Sequence, residues 1–380
     1  MDRAAVNTFQ TKQDDSSLRD WLALNRLKGF GPKKILTLLQ AFGSPQQVFN
    51  ASSANLKSSG LSSSAIEQIR TADRACKEDL DWLNAHPRHH IVTLEDKRYP
   101  TLLKELTDPP LLLYVNGDPD LLSLPQIAIV GSRLATPGGL VIAREFSRSL
   151  ASAGLVITSG LALGVDAAAH SGALEAGGKT IAVLGTGPDR IYPAKHLSLA
   201  EQIVENGAIV SEFIPGTRPR KENFPRRNRV ISGLAVGVLV VEAAKRSGSL
   251  ITARFAMEQG KEVFAIPGSI KNPQTKGCHT LIREGARLVE SVEDIVEELG
   301  PMFAVLVPAE NDRSSEEKLN HESGTQHRLV MDILGYDPVS VDQIVERTGL
   351  TASDVSSILL ELELEGDVCS QAGGMYVRTR

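Results

Sequence analysis

From Leu18 to Ala85, apolar residues in LRDWLALNRL, KKILTLLQAF and SSAIEQIRTADRACKEDLDWL recur every three or four positions. That is the spacing of one helix face, so this block is expected to be helical. Gly29-Phe30-Gly31-Pro32 separates the first two helices, and Pro32 suits the first turn of the second. Residues 86 to 125 read as a lead-in, with a strand HIVTL, a short helix TLLKEL and the run LLLYVNG. At Gln126 the pattern changes. The runs IAIVG, LVITSG, TIAVLG, AIVSEF, VGVLVVE and EVFAIPG alternate with helical stretches, among them GLVIAREFSRSLASAG, DAAAHSGALEAGG, LSLAEQIVENG and LITARFAMEQG. Continuous apolar strands are those covered by helices on both faces, and most of these helices end in Gly, which takes the left-handed cap without steric cost. The fold class expected is α/β, an open, doubly wound parallel sheet from Gln126 to Leu299. Ser291 with Asp294 resembles a capping box at its last helix. Residues 308 to 325 are polar and aperiodic and read as a linker. HRLVMDILG, VDQIVERTG and ASDVSSILLELELEG, followed by the hairpin DVCSQAGGMYVR, form the pattern of a winged helix. Four segments result: a helical domain 1–85, a sheet domain 86–300, a linker 301–325 and a winged-helix domain 326–380.

Composition narrows the class. The chain has 380 residues, 42% hydrophobic and only 4% aromatic, with 32 glycines, a balance suited to close-packed α/β layers. Cys76, Cys278 and Cys369 are far apart and form no CxxC, which argues against a disulfide framework and a cysteine zinc site. The first residues, MDRAAVNTFQ, carry no apolar signal core, and no run is long enough to span a bilayer. A soluble, cytoplasmic protein without a membrane partner is expected. The net charge of -5 conceals an asymmetry. Residues 216 to 229, GTRPRKENFPRRNR, hold six basic residues and one acid, whereas residues 326 to 367 hold nine acids against Arg328 and Arg347. The first segment calls for an anionic partner and the second for avoidance of one.

Parallel sheets bind ligands at the carboxyl ends of their strands. After the first such strand comes Gly131-Ser132-Arg133-Leu134-Ala135-Thr136-Pro137-Gly138-Gly139. Arg133 stands where a GxGxxG fingerprint needs a glycine for close approach of a pyrophosphate, which argues against ordinary dinucleotide binding. An arginine there can pair with a phosphate in bidentate fashion, or simply occupy a surface turn. The run from Gly172 to Thr180 resembles a P-loop but has five residues, not four, between Gly172 and Gly178. It also precedes a strand instead of following one, so ATP binding by this segment is rejected. Glu242 ends the fifth strand, and Ala243-Ala244-Lys245-Arg246-Ser247-Gly248-Ser249 leads into a helix. Ser249 suits an N-cap, and a helix start beside hydroxyls and cations can seat an anion; capping alone also explains Ser249. Between Arg218 and Arg229 the cations surround Phe224, with Pro219 and Pro225 stiffening the loop and Asn228 opening the next helix. Cations that follow a phosphate backbone beside an aromatic for base stacking suit single-stranded nucleic acid. A solvated charge run with Phe224 anchored to the core is the competing reading. Asp166 is expected to cap the helix DAAAH, with His170 one turn on. No nucleophile–base–acid set, carboxylate pair or metal-ligand spacing is present, so no catalytic residue and no metal site is assigned.

Leu27-Lys28-Gly29-Phe30-Gly31-Pro32-Lys33-Lys34 has the form of a helix-hairpin-helix. Gly29 and Gly31 would let backbone amides approach a phosphate, assisted by Lys33 and Lys34; a plain helical turn reads equally well. The acids of the winged helix would repel phosphates, so a protein partner or simple packing suits it better than DNA reading.

These residues converge on a family. VGSR, ITSGLALGVDAAAH, TIAVLGTG, IYP, FPRRNRVISGL, VLVVEAAKRSGSLITARFAMEQG, VFAIPG and KGCHTLIREGA occur in this order over about 111–299. That block resembles the DNA-processing protein A (DprA/Smf) family of recombination mediators of bacterial transformation, and the terminal domains look like its variable accessory domains. The resemblance implies an extended Rossmann-like domain that binds single-stranded DNA, forms a homodimer and loads the RecA recombinase in natural transformation and DNA uptake, with no nucleotide cofactor and no turnover. The DNA-contacting positions it implies are Arg133, Lys221 and Phe224. Ser132, Asn228, Arg229 and Lys245 follow from position, and Lys195, after Tyr192-Pro193, is a further candidate. One departure is that His196 stands near the place where the family commonly has Asn. Two other functions compete: a Rossmann-like nucleotide-processing or nucleotide-sensing enzyme using Glu242, although AAKRSGS replaces its PGGxGT segment, and a structural adaptor acting through its terminal domains.

Overall fold

The structure, a computed structural model, describes residues 15–306, 330–331, 333–334, 339–365, 368–371 and 375–378. The chain divides between residues 309 and 310 into two compact units. The segment read as a polar linker, 308–325, lies outside the described residues.

The first unit begins with six helices: α1 Asp15–Asn25, α2 Pro32–Phe42, α3 Pro45–Asn50, α4 Ser53–Ser58, α5 Ser63–Arg70 and α6 Lys77–Ala85. Trp21, Leu22, Leu24, Ile35, Leu38, Val48, Leu56 and Ile69 form their core. Two corrections to the sequence reading arise here. The stretch from Ser63 to Leu83 is not one helix: it breaks at Thr71–Cys76, where Asp73 accepts from the Ala75 amide at 2.9 Å and Cys76 adopts φ 45°. An Asx turn competes successfully with the helix ladder there. The short α3 and α4 carry too few apolar positions for a period to emerge; each is set by a serine cap, Ser44 on the Gln47 amide and Ser52 on the Asn55 amide.

The nine-stranded sheet consists of β1 His89–Thr93, β2 Leu112–Gly117, β3 Gln126–Val130, β4 Val156–Ser159, β5 Thr180–Leu184, β6 Ala208–Ser211, β7 Gly237–Val240, β8 Glu262–Ala265 and β9 Arg287–Leu288. Its order is β1-β2-β6-β5-β4-β3-β7-β8-β9. From β6 to β9 every pairing is parallel, with Ile127 opposite both Ile157 and Gly237. The lead-in strands are more than an approach to this sheet: they extend it, β2 pairing antiparallel with β6 and β1 antiparallel with β2. The helices are α7 Thr101–Lys104, α8 Pro137–Ser152, α9 Val165–Glu175, α10 Leu197–Asn206, α11 Asn223–Leu234, α12 Ser249–Glu258, α13 Lys276–Arg283 and α14 Val292–Leu306. Two apolar layers flank the sheet. One contains Ala128, Val130, Val238 and Val240 with α11 and α12, and the other contains Ile127, Ile129 and Leu239 with α8 and α9. Burial on both faces accounts for the unbroken apolar strands. Ser291 and Asp294 make the reciprocal cap expected, Asp294 accepting from the Ser291 amide at 3.0 Å and donating its own amide to the Ser291 hydroxyl at 3.4 Å. The helix that follows runs on to Leu306, through positions read as linker from residue 301.

The second unit contains β10 Val339–Ser340, α15 Val341–Thr348, α16 Ala352–Glu365, β11 Val368–Gln371 and β12 Met375–Arg378. The strands form one antiparallel sheet in the order β10-β12-β11. Val330, Leu334, Ile344, Val355, Leu359 and Val368 are its core, and Ser340 with Gln343 forms a complete capping box. Only residues 330–331 and 333–334 of the expected first helix are described.

Candidate nucleic-acid interface

The strands after β3 in sequence pass to one side of it as β4, β5 and β6, whereas β7, β8 and β9 lie on its other side. The crevice beyond the carboxyl ends of β3 and β7 is therefore the topological switch point, where open α/β sheets bind ligands. A cavity of about 430 Å³ opens there, lined by Ser132, Arg133, Phe224, Arg227, Arg246 and Ser249 among others.

The usual phosphate seat of such a sheet is closed. Glu242, just past β7, accepts from the Thr136 amide at 2.8 Å and the Thr136 hydroxyl at 2.7 Å, at the N-terminus of α8. A Cβ at Gly139 would stand 2.5 Å from that carboxyl group. The helix dipole that binds pyrophosphate in dinucleotide folds is here answered by the protein's own carboxylate. The first turn of α12 joins the crevice wall beside Arg246 and Ser247, with the Ser249 amide donating to the Ser247 hydroxyl at 3.3 Å. Ser249 is not its cap, contrary to the sequence reading. Gly248 holds the N-cap position, and the Ser249 hydroxyl pairs with that of Ser247 at 2.7 Å.

Arg133 is exposed, with its guanidinium carbon 5.6 Å from the centroid of the half-buried Phe224 ring. The two residues lie 91 positions apart in sequence (224 less 133), so the basic segment and the first strand end meet at one rim. The Phe224 ring rests against Gly185, where a Cβ would come within 3.0 Å of it, and the exposed Tyr192 ring lies 5.8 Å away at 47°. The segment around Phe224 is not a proline-stiffened loop ending at Asn228. It is already helical from Asn223, because Pro225 falls in the first turn, where no intrahelical amide donor is lost.

Beneath the ring the cations serve the fold. Arg227 is buried and donates to the Gly160 and Val183 carbonyls at 2.5 Å each. Burial lowers its pKa to about 10, while nearby Asp166 favours the charge. Burial raises the Asp166 carboxyl, against the pull of Arg227. Asp166 does not cap its own helix, as the sequence reading had it. It accepts from the Gly160 amide at 3.1 Å and the Ala162 amide at 3.3 Å, holding the loop that follows β4. His170 is likewise internal: its Nδ1 donates to the Thr180 hydroxyl, which itself donates to Ile157 O. Burial drives its pKa down to about 3. His196 Nδ1 lies 3.0 Å from Leu161 O, so it too ties down the β4–α9 loop.

The remaining nominated residues divide by position. Ser132 lines the crevice but bonds Gln274 at 2.9 Å and the Leu134 amide at 3.0 Å. Asn228 also lines it, its amide donating to Gly248 O at 3.2 Å. Lys221, Lys195 and Lys245 are exposed on the flanking loops and do not line the cavity. Arg229 leaves the rim altogether. It donates to Glu212 Oε2 at 2.5 Å and to Asp108 O at 2.6 Å on the other side of α11. Gly29 and Gly31 line a separate groove there, and Lys33 and Lys34 are exposed on α2 beside it. Within the run read as an anion seat, Arg246 lines the crevice and its neighbour Lys245 does not; Gln274 arrives from the loop after β8 with no motif to announce it. Among the described residues no cluster could hold a metal ion, and no helix is long and apolar enough to cross a membrane.

Comparisons with known proteins bear on this site. The family model for DNA recombination-mediator protein A matches residues 90–300, and that for the DprA winged helix domain matches residues 314–374. Protein Smf of Escherichia coli K12 is 42% identical over 86% of this chain and 87% of its own length. The X-ray structure of DNA processing protein A from Streptococcus pneumoniae superposes with a TM-score of 0.65 at 40% identity, covering 75% of this chain and 97% of that one. DNA processing protein A from Helicobacter pylori, described for its single-stranded DNA binding mode, gives a TM-score of 0.51 at 33% identity over 56% of this chain and 97% of that one.

Proposed function

The chain belongs to the DNA recombination-mediator protein A (DprA/Smf) family, and from that premise we propose that it is a non-enzymatic mediator that binds single-stranded DNA and delivers it to the RecA recombinase. The observation that carries this reading is the meeting of Arg133 and Phe224 at the open rim of the switch-point crevice. A guanidinium can take a phosphate while a base stacks on the ring, and only an unpaired base has a face to offer. Arg246 and the first turn of α12 extend the anion seat, and Lys221, Lys195 and Lys245 follow the strand on either side. The recombination mediators of this family and the single-stranded DNA binding described for the H. pylori relative support the same choice. Homodimerisation would place two such crevices on one strand and raise the effective concentration of the second. Gly29, Gly31, Lys33 and Lys34 are assigned as accessory contacts, and the acidic winged helix to a protein partner. In naturally transformable hosts the strand would be incoming DNA.

The nucleotide-processing alternative loses its principal residue. Both oxygens of Glu242 are engaged by Thr136, and Asp166, the carboxylate that lines the crevice, is held by the Gly160 and Ala162 amides. A competition between a fluorescent single strand and its duplex tests the proposal. The single strand should win, and Phe224→Ala should weaken its binding by roughly 1–3 kcal/mol. Preference for duplex, or hydrolysis of added nucleoside monophosphates, would overturn it.

A further inference from the structure

On the far side of α11 from Arg227 lies a second cavity of about 600 Å³, between the glycine turn of the N-terminal hairpin and the sheet domain. Part of its wall is apolar: Phe30 and Leu27 from the turn, Pro110, Pro225 and Phe255 from the sheet domain. Pro225 also lines the switch-point crevice, so the two cavities adjoin. At its base sits Glu212, with a side chain 4% exposed. Oε2 of this carboxylate receives Arg229 at 2.5 Å and Arg226 at 3.4 Å. Oε1 is buried and has no hydrogen-bond partner.

An unpaired buried acceptor costs on the order of 1–3 kcal/mol, which a donor reaching it would offset. The charged residues around the cavity are Arg226, Arg229, Glu212 and Asp108, two of each sign. The balance disfavours a cation as much as an anion. A neutral N–H donor on a flat ring fits.

We propose that this cavity receives a base of the bound strand, beside the one stacked on Phe224, and that Glu212 Oε1 accepts a hydrogen bond from its exocyclic amino group. The inference rests on the single-stranded DNA reading above. Half-exposed Arg226 stands at the edge of the cavity, its guanidinium 5.1 Å from the Phe213 centroid, ready to turn to the adjoining phosphate. Cytosine presents an amino donor at the position where thymine presents the O4 acceptor. A carboxylate oxygen therefore attracts the first and repels the second.

The test compares oligo(dC) with oligo(dT), two pyrimidine strands of equal length, by fluorescence anisotropy on the full chain. The unaltered protein should favour oligo(dC) by about fivefold, which is on the order of 1 kcal/mol. In Glu212→Gln, with the amide oxygen kept on Arg229, the amide N–H group takes the place of Oε1 and the preference should vanish or reverse toward oligo(dT). Because Glu212 also holds Arg229, a second arm keeps the protein unaltered. An oligomer of 2-pyrimidinone, which is cytosine without its amino group, should bind like oligo(dT). Equal affinity for all three strands, or the same ratio in Glu212→Gln, would overturn the base pocket while leaving the mediator reading intact. Failure of every strand to bind would instead remove the mediator reading.

Discussion

The two sides of α11 face arginines that are used in opposite ways. On the crevice side, Arg133 stands exposed over Phe224, and Arg246 lines the same wall. On the far side, Arg229 is buried between Glu212 and Asp108. An arginine already neutralised at 2.5 Å has little to offer a phosphate, and its loss strands a buried carboxylate. Charge density in sequence thus identifies where anions are attracted, while carboxylate pairing determines which cations remain available to them.

The sharpest way to break this contrast is to remove one arginine from each side. Arg229→Ala should cost about 3–5 kcal/mol of folding stability in urea denaturation, because Glu212 stays behind in the interior. Stability unchanged within about 0.5 kcal/mol would place Arg229 with the free cations. Arg133→Ala should show the reverse pattern: unfolding midpoints preserved, affinity for a single strand reduced by about 1–2 kcal/mol. The logarithm of that affinity should also fall with the logarithm of salt at about -0.7 per phosphate contacted, and the slope should become shallower in the variant. Salt-insensitive binding would mean that the rim arginine touches no phosphate.

A smaller effect separates buried basic groups from free ones by pH. His170 has its folded pKa lowered to about 3 by burial, whereas the unfolded chain titrates near 6.5. The unfolded state therefore binds a proton that the folded state refuses, and stability is lost as pH falls from about 6.5 toward about 3. Between pH 6.5 and 5.5 His170 should contribute a loss of roughly 1 kcal/mol, absent in His170→Leu. Equal acid sensitivity in both proteins would show that the imidazole becomes charged inside the fold.

Much of the fold is legible without coordinates because the physics is local. Unbroken apolar runs mark strands buried on two faces, and Gly177 at φ 66° ends a helix as its sequence position suggests. The switch-point crevice follows from strand order, and Phe224 stands out as an aromatic among cations. Readings failed where a nearby alternative competed on equal terms. The Asx turn at Asp73 split one helix in two, Pro225 entered a helix start instead of a loop, and Asp166 bonded the loop before its helix instead of the helix itself.

By itself, then, the sequence determined the α/β layering, the cysteine-poor chemistry and the gathering of positive charge between Arg218 and Arg229. The tertiary structure alone decided the fate of each polar group. Thr136 closes on Glu242 across 106 positions, Ser132 meets Gln274 across 142, and Arg229 reaches Asp108 across 121. Helix and strand periodicity arise from neighbours along the chain, whereas the pairing of a buried charge depends on whichever distant group folding brings within about 3 Å.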